Sequence, residues 1–273
     1  MSADTTRTPR PISSDIAWST SDRITVRGLD LPGEILGHLS LPEFAFLQLT
    51  GRRPSADEVR VYDAILITLV EHGLTPSALA ARLTYAGAPE SLQAAVAAGL
   101  CGLGSRFVGS TEGAAKMLTE ALGPIGDTSS GPDTDLAAAA ARIVAGFNDR
   151  REPIPGIGHP LHKPVDPRAP RLFEIAAECG LSGRYVELVQ LVAAEAERVS
   201  GKQLPVNATG AIGALTCELG LPPVMVRGLG VMARAIGLVG HLLEEHNNPM
   251  AVEIWQRAEH EASAHLRPRP TAV

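Results

Sequence analysis

The sequence predicts an all-α protein, and three observations carry that prediction. Aromatic residues fill only 4% of its 273 positions, which leaves the core to Leu, Ala, Val and Ile, and alanine and leucine are the strongest helix formers among them. Apolar residues recur three and four positions apart in segment after segment. Helix-start signals stand in front of several of those segments, most plainly the capping-box string Ser55-Ala-Asp-Glu58.

Taken in order, residues 1–20 are polar and proline-containing and read as a flexible tail. The first ordered element is Arg23 to Leu31, short and weakened as a strand by Gly28. Leu41 to Leu49 follows as an apolar helix, and Val59, Tyr62, Leu66 and Leu69 place a helix over Ala56 to Glu71. Pro76 opens a helix running to about Tyr85, and Pro89-Glu-Ser91 opens another through Ala98. Glycines 99, 102, 104, 109 and 113 are too dispersed for a phosphate-binding loop, so they are expected to let helices or a ligand approach closely. Glu112 to Leu122 and Asp133 to Asn148 are helices on either side of a Gly/Pro/Ser linker. Helices resume at Arg171 to Glu178, then Arg184 to Val199, Ala208 to Leu219, Pro223 to Glu245 and Met250 to Leu266.

Composition limits the function classes. With 24 Lys+Arg against 30 Asp+Glu the net charge is −6, which excludes an electrostatic nucleic-acid binder. Hydrophobic residues at 45% and charged residues at 20% exclude a disordered chain. Cys101, Cys179 and Cys217 lie far apart, with no disulfide or zinc spacing, as in a reducing compartment. The N-terminus lacks the pattern of a secretory signal, and no run of about 18 uninterrupted apolar residues offers a membrane span. A cytoplasmic location with no membrane and no nucleic-acid partner is expected.

The chemistry concentrates in Glu152 to Pro170, where prolines and glycines interleave with His159, His162, Lys163, Asp166 and Arg168. His159 and His162 form a His-x-x-His pair, but Pro160 splits it and no third ligand lies near, so no metal site is expected. His72 and His241 each fall on a helical segment, where a hydrogen-bonded structural role competes with catalysis. Arg234 sits among Val231, Met232, Ile236, Leu238 and Val239, and a guanidinium in so apolar a helix needs an anionic or carbonyl partner. Structural ion pairing and carboxylate binding both satisfy that need.

Four strings in order resemble one family. Pro155-Gly-Ile-Gly-His159 with Asp166-Pro-Arg168 is similar to the Gly-x-Gly-His and Asp-Pro-Arg signature of the citrate synthase family. Ala233-Arg-Ala-Ile-Gly-Leu-Val-Gly-His241 resembles its late arginine helix, Val70-Glu-His-Gly73 its early histidine motif, and Leu266-Arg-Pro-Arg269 its C-terminal arginine. Within that family the chain looks most similar to citryl-CoA lyases, including the lyase module of ATP-citrate lyase, around Arg106-Phe-Val-Gly and Ala114-Ala-Lys-Met117.

The resemblance implies a citrate synthase-like fold and a homodimer. The large helical domain would span 21–150 and return over 226–273 with a C-terminal arm, and a small helical domain over 151–225 would carry the His159 loop. His159 then matches the histidine that handles the keto oxygen of oxaloacetate or the citryl alcohol. His72, Arg168 and Arg234 match carboxylate-binding residues, and Arg267 an arginine supplied across the dimer. Gly156 and Gly158 are assigned to cofactor binding, the CoA being part of the thioester substrate, with no separate cofactor required. Arginine forks suit a dicarboxylate because they pair bidentately and stay charged.

Two positions depart from the synthase pattern. The enol-stabilising histidine falls on Glu112 and the catalytic aspartate on Thr209, yet a threonine hydroxyl cannot act as a general base near neutral pH. Three readings follow: a C–C lyase cleaving a citryl-like thioester with Glu112 or water handling the enolate proton, an enzyme for another acyl-CoA, or a ligand-binding homologue without turnover.

Overall fold

The computed structural model describes residues 12–105, 108–124, 135–158 and 164–266. The chain divides into two compact units, Met1–Val59 and Arg60–Val273.

The first unit opens with a three-stranded antiparallel sheet, β1 (Ala17–Ser19), β2 (Ile24–Val26) and β3 (Leu29–Asp30). β1 lies in what the sequence reads as a flexible tail, and its pairing with β2 from Ala17↔Val26 to Ser19↔Ile24 gives it order. Gly28 weakens the expected strand by turning it: Arg27 and Gly28 both have positive φ, at 49° and 81°, the geometry of a two-residue hairpin turn. Helix α1 (Leu41–Thr50) starts on a capping box, Ser40 with Glu43, and α2 (Ala56–Val70) on the one read at Ser55, whose Oγ accepts from Glu58 N at 3.2 Å.

The second unit is helical among its described residues. Beyond α2 come α3 (Pro76–Gly87), α4 (Leu92–Cys101), α5 (Gly109–Leu122), α6 (Leu136–Arg150) and α7 (Arg168–Glu178). The order continues with α8 (Arg184–Ser200), α9 (Ala208–Glu218), α10 (Pro223–Asn247) and α11 (Ala251–Ser263). Some starts differ from expectation. Helix α7 begins at Arg168, three residues early, because Pro170 sits in a first turn whose N–H groups have no helical acceptor to lose. Asp135 accepts from Ala137 N and Ala138 N and so starts α6; Asp133, the expected start, lies outside the described residues.

The core is built from small side chains in close approach. Ala78 and Ala81 of α3, Ala95 of α4, and Leu238 and Leu242 of α10 form one buried cluster, and Gly99 fits there because a methyl group would strike Leu238 at 2.7 Å. Helix α9 packs along α5 and α8, and α8 along α6, so the 151–225 segment joins the same unit as α5 and α6.

Helix α10 is the long member. Its 25 residues are apolar enough to cross a membrane by length and composition, with a mean hydropathy of 1.3 over 18 residues; interruptions such as Arg234 hide this from a search for unbroken apolar runs. One face packs on α3, α4, α5 and α9. Val224, Val231, Ile236, Val239 and Leu243 on the same helix are exposed.

At Gly237 α10 meets the end of α2, where an added Cβ would lie 2.1 Å from the Val70 carbonyl oxygen. Gly237→Ala is therefore expected to lower stability by about 1–3 kcal/mol through overpacking, measured by urea unfolding. An unchanged midpoint would refute the close contact.

Candidate functional site

A cavity of about 770 Å³ opens in the second unit, a size typical of small-molecule sites. The residues past α2, the start of α5, the 153–158 loop, the starts of α7 and α9, and α10 all contribute to its wall. It brings together six residues picked out from the sequence: His72, Gly156, Gly158, Arg168, Thr209 and Arg234. His159, His162 and Arg267 lie outside the described residues.

The 153–158 loop is stitched to the start of α9. Gly158 N donates to Pro205 O at 2.7 Å and Asn207 N to Gly156 O at 3.0 Å, with an antiparallel bridge between Ile157 and Val206. Gly156 has φ +82°, and a Cβ there would come within 2.4 Å of Gly210 Cα, so backbone lies against backbone. Asn207 joins the two segments. Its Nδ2 donates to Gly158 O at 2.6 Å, while its Oδ1 accepts from Thr209 N at 2.9 Å and Gly210 N at 3.2 Å as the N-cap of α9.

Asp166 is fully buried. Its Oδ1 accepts from Arg168 Nε at 3.0 Å, and its Oδ2 accepts from Arg168 Nη2 at 2.8 Å and from Ala208 N at 2.9 Å. Burial pushes its pKa up, but the hydrogen bonds from Arg168 and from the Ala208 amide outweigh that and hold the carboxyl down at about 2. One carboxylate thus aims the Arg168 fork and ties it to the helix that carries Thr209. The sequence reading placed Asp166 in a motif without giving it this role, and it gave none to Asn207; an Asx residue just before a helix start is the signal that could have found Asn207.

The partner that the sequence calls for at Arg234 is not supplied to its Nε by the described residues. Among the described residues its buried Nε has no hydrogen-bond partner, and burial pulls the guanidinium below its ordinary value while the nearby Glu71 charge opposes that. A buried donor left unpaired costs roughly 1–3 kcal/mol, so an anion in the cavity that accepts from it recovers that cost.

Thr209 donates its hydroxyl proton to Asn207 Oδ1 at 2.7 Å. No carboxylate stands in its place on the wall among the described residues. Glu112 is not on the wall although Gly109 and Ser110 of its helix are. Two residues past Ser110 is about 200° round a helix, and Glu112 instead accepts from Arg227 Nε at 2.6 Å. Among the described residues no three His, Cys, Asp or Glu side chains cluster as metal ligands.

The sequence profile of the citrate synthase C-terminal domain matches residues 31–257. The chain belongs to the citrate synthase family. Among solved structures it is similar to citryl-CoA lyase from Hydrogenobacter thermophilus, at 33% identity and a TM-score of 0.77 over 86% of this chain and 87% of that one. The fold is shared with ATP citrate lyase from Methanothrix soehngenii, with 21% identity, a TM-score of 0.70, and 88% and 40% of the two chains covered. Citrate synthase 2 of Bacillus subtilis is 27% identical over 81% of this chain and 56% of its own length. The chain spans about half the length of the curated relatives it matches.

The Asp166 clamp makes a prediction with a defined sign. Because the carboxyl titrates lower when folded, its contribution is complete above about pH 4 and fades as pH falls toward 2. Asp166→Asn is expected to cost on the order of 2 kcal/mol at pH 7, with the gap to the native protein narrowing below pH 4 in urea unfolding. A gap independent of pH would exclude the clamp as its source.

Proposed function

We propose that this chain is a citrate synthase-family enzyme that breaks a carbon–carbon bond in a CoA thioester, cleaving citryl-CoA to acetyl-CoA and oxaloacetate. The observation that carries this reading is the cavity itself, where Arg234 with its orphan Nε, Arg168 with its aimed fork, and His72 face the same space as Thr209. The two guanidinium groups suit the two carboxylates of an oxaloacetate moiety. Likeness to citryl-CoA lyase over nearly the whole of both chains supports the direction.

In that reaction the citryl alcohol loses its proton and the carbinol oxygen becomes the keto oxygen of oxaloacetate. The C–C bonding pair moves into the thioester as an enolate, and the enolate takes a proton to become acetyl-CoA. His159 is the residue we propose for the alcohol proton, on the strength of the family motif. Thr209 fits this direction better than condensation, since a thioester enolate can be protonated by water, whereas making one from acetyl-CoA requires a base. No cofactor beyond the CoA of the substrate is needed, because the thioester accepts the electrons. Thr209 also favours a second reading, a protein that binds such ligands without turning them over.

Exposed apolar residues on α10 support a homodimer. Val224, Val231, Ile236, Val239 and Leu243 are spread over 20 residues of one helix, with Ile236, Val239 and Leu243 together on its later turns, and a symmetric pairing with a second copy covers the same residues on both. Paired Ile236→Glu and Val239→Glu are expected to halve the mass seen by light scattering. A native chain that is already monomeric would sink this assignment, as would a mutant of unchanged mass.

Incubation with citryl-CoA, scored for oxaloacetate, tests the activity. Release by the native protein and a loss of about 10²-fold in kcat/KM for Arg234→Leu are the expected results. Oxaloacetate binding without any release would favour the non-catalytic reading, and activity indifferent to Arg234 would remove the carboxylate role.

A further inference from the structure

The family reading leaves a network beside the cavity unused. Arg82 on α3 has no solvent exposure, and its partners all lie on α10: His241, Glu244 and Glu245. Its Nε and Nη2 stand 3.2 and 2.9 Å from His241 Nδ1. Arginine only donates, so Nδ1 is the acceptor and the ring proton sits on Nε2. That Nε2 stands 3.1 Å from Glu71 Oε1 and 3.0 Å from Oε2. Glu71 Oε1 in turn accepts from His72 N at 2.8 Å and Gly73 N at 2.6 Å.

Arg234, Gly237 and His241 fall at helical spacings that share a face, and that face meets the end of α2. Gly237 permits the contact; Arg234 and His241 flank it. Glu71 stands at that contact, its Oε2 3.0 Å from where a Cβ on Gly237 would lie, one turn of α10 from Arg234, and its charge acts on the Arg234 guanidinium. It does not hydrogen-bond Arg234 Nε, which stays unpaired. What restrains it is the pair of backbone amides on one side and His241 on the other.

We infer that His241 is a positioning residue for the anion subsite: fixed by Arg82 as the Nε2–H tautomer, it holds the Glu71 carboxylate against the His72–Gly73 backbone and keeps it from capturing Arg234. The inference rests on the carboxylate-binding reading of the cavity. Its consequence is that Arg234 stays available to an incoming carboxylate while the backbone of His72 is pinned.

The test uses the full chain with oxaloacetate as probe, binding read by titration calorimetry and folding by thermal unfolding. His241→Gln, whose amide can accept from Arg82 and donate to Glu71, is expected to bind within about threefold of the native protein. His241→Leu frees Glu71 and is expected to bind about tenfold more weakly. Adding Glu71→Gln to His241→Leu removes the competing charge and should restore binding to within about threefold. Native affinity in His241→Leu, or a double variant no better than it, overturns the inference; a merely structural role predicts weakening that Glu71→Gln does not reverse. If the native protein fails to bind oxaloacetate, the carboxylate reading falls, and amide NMR decides the positioning alone. The His72 and Gly73 amide resonances should then move in His241→Leu and stay in His241→Gln, and resonances unmoved in His241→Leu overturn it.

Discussion

The Arg82 guanidinium is buried without exposure and draws three side chains of α10 onto α3. A buried cation must be paired, and removing a partner from such a pair costs roughly 3–5 kcal/mol, so the register of the two helices follows from this contact. Glu245 extends it: one oxygen pairs with Arg82 at 2.9 Å and the other accepts from Met250 N and Ala251 N, which starts α11. Ala78, Ala81, Leu238 and Leu242 of the buried cluster lie on the same two helices, with Ala95 of α4 beside them, where small side chains let the charged network close.

From that register the α10 side of the cavity follows. Once α10 is set against α3, Gly237 lies on the Val70 carbonyl, Arg234 reaches the cavity and His241 reaches Glu71. The opposite wall is set separately by Asp166 and Asn207, which hold the 153–158 loop, Arg168 and the start of α9 as one piece through hydrogen bonds to backbone. Each wall thus presents one arginine, but in different electrostatic states. Arg168 is paired bidentately with Asp166, whereas Arg234 is desolvated by burial and has an Nε that no described residue satisfies. In the proposed carboxylate site the two are complementary: one is geometrically fixed, the other gains from being paired.

Most of the fold was legible along the chain because helices are local. Capping boxes, first-turn prolines and apolar spacing act within a turn or two, so the helix from Ala56 and those from Arg184, Ala208 and Pro223 begin where those signals stand. The β1 strand was not legible, since its three residues acquire order only by pairing with β2. Arg234 was visible as a cation that needed an anion, and the motif order was enough to group His72, Arg168 and Thr209 with it.

Sequence by itself determined the helix set and the residue types of the cavity, including a threonine where the resemblance to the family leads to the expectation of a carboxylate. Tertiary structure alone decided which of those residues share a space. Glu112 turns to Arg227 because helical rotation carries it away from Ser110, and Asp166 becomes the clamp on Arg168 because the start of α9 arrives beside it from 42 residues further on. Glu71 and His241, 170 residues apart, meet only because Gly237 lets two backbones touch. Such pairings depend on chain segments distant in sequence, and no local signal can carry them.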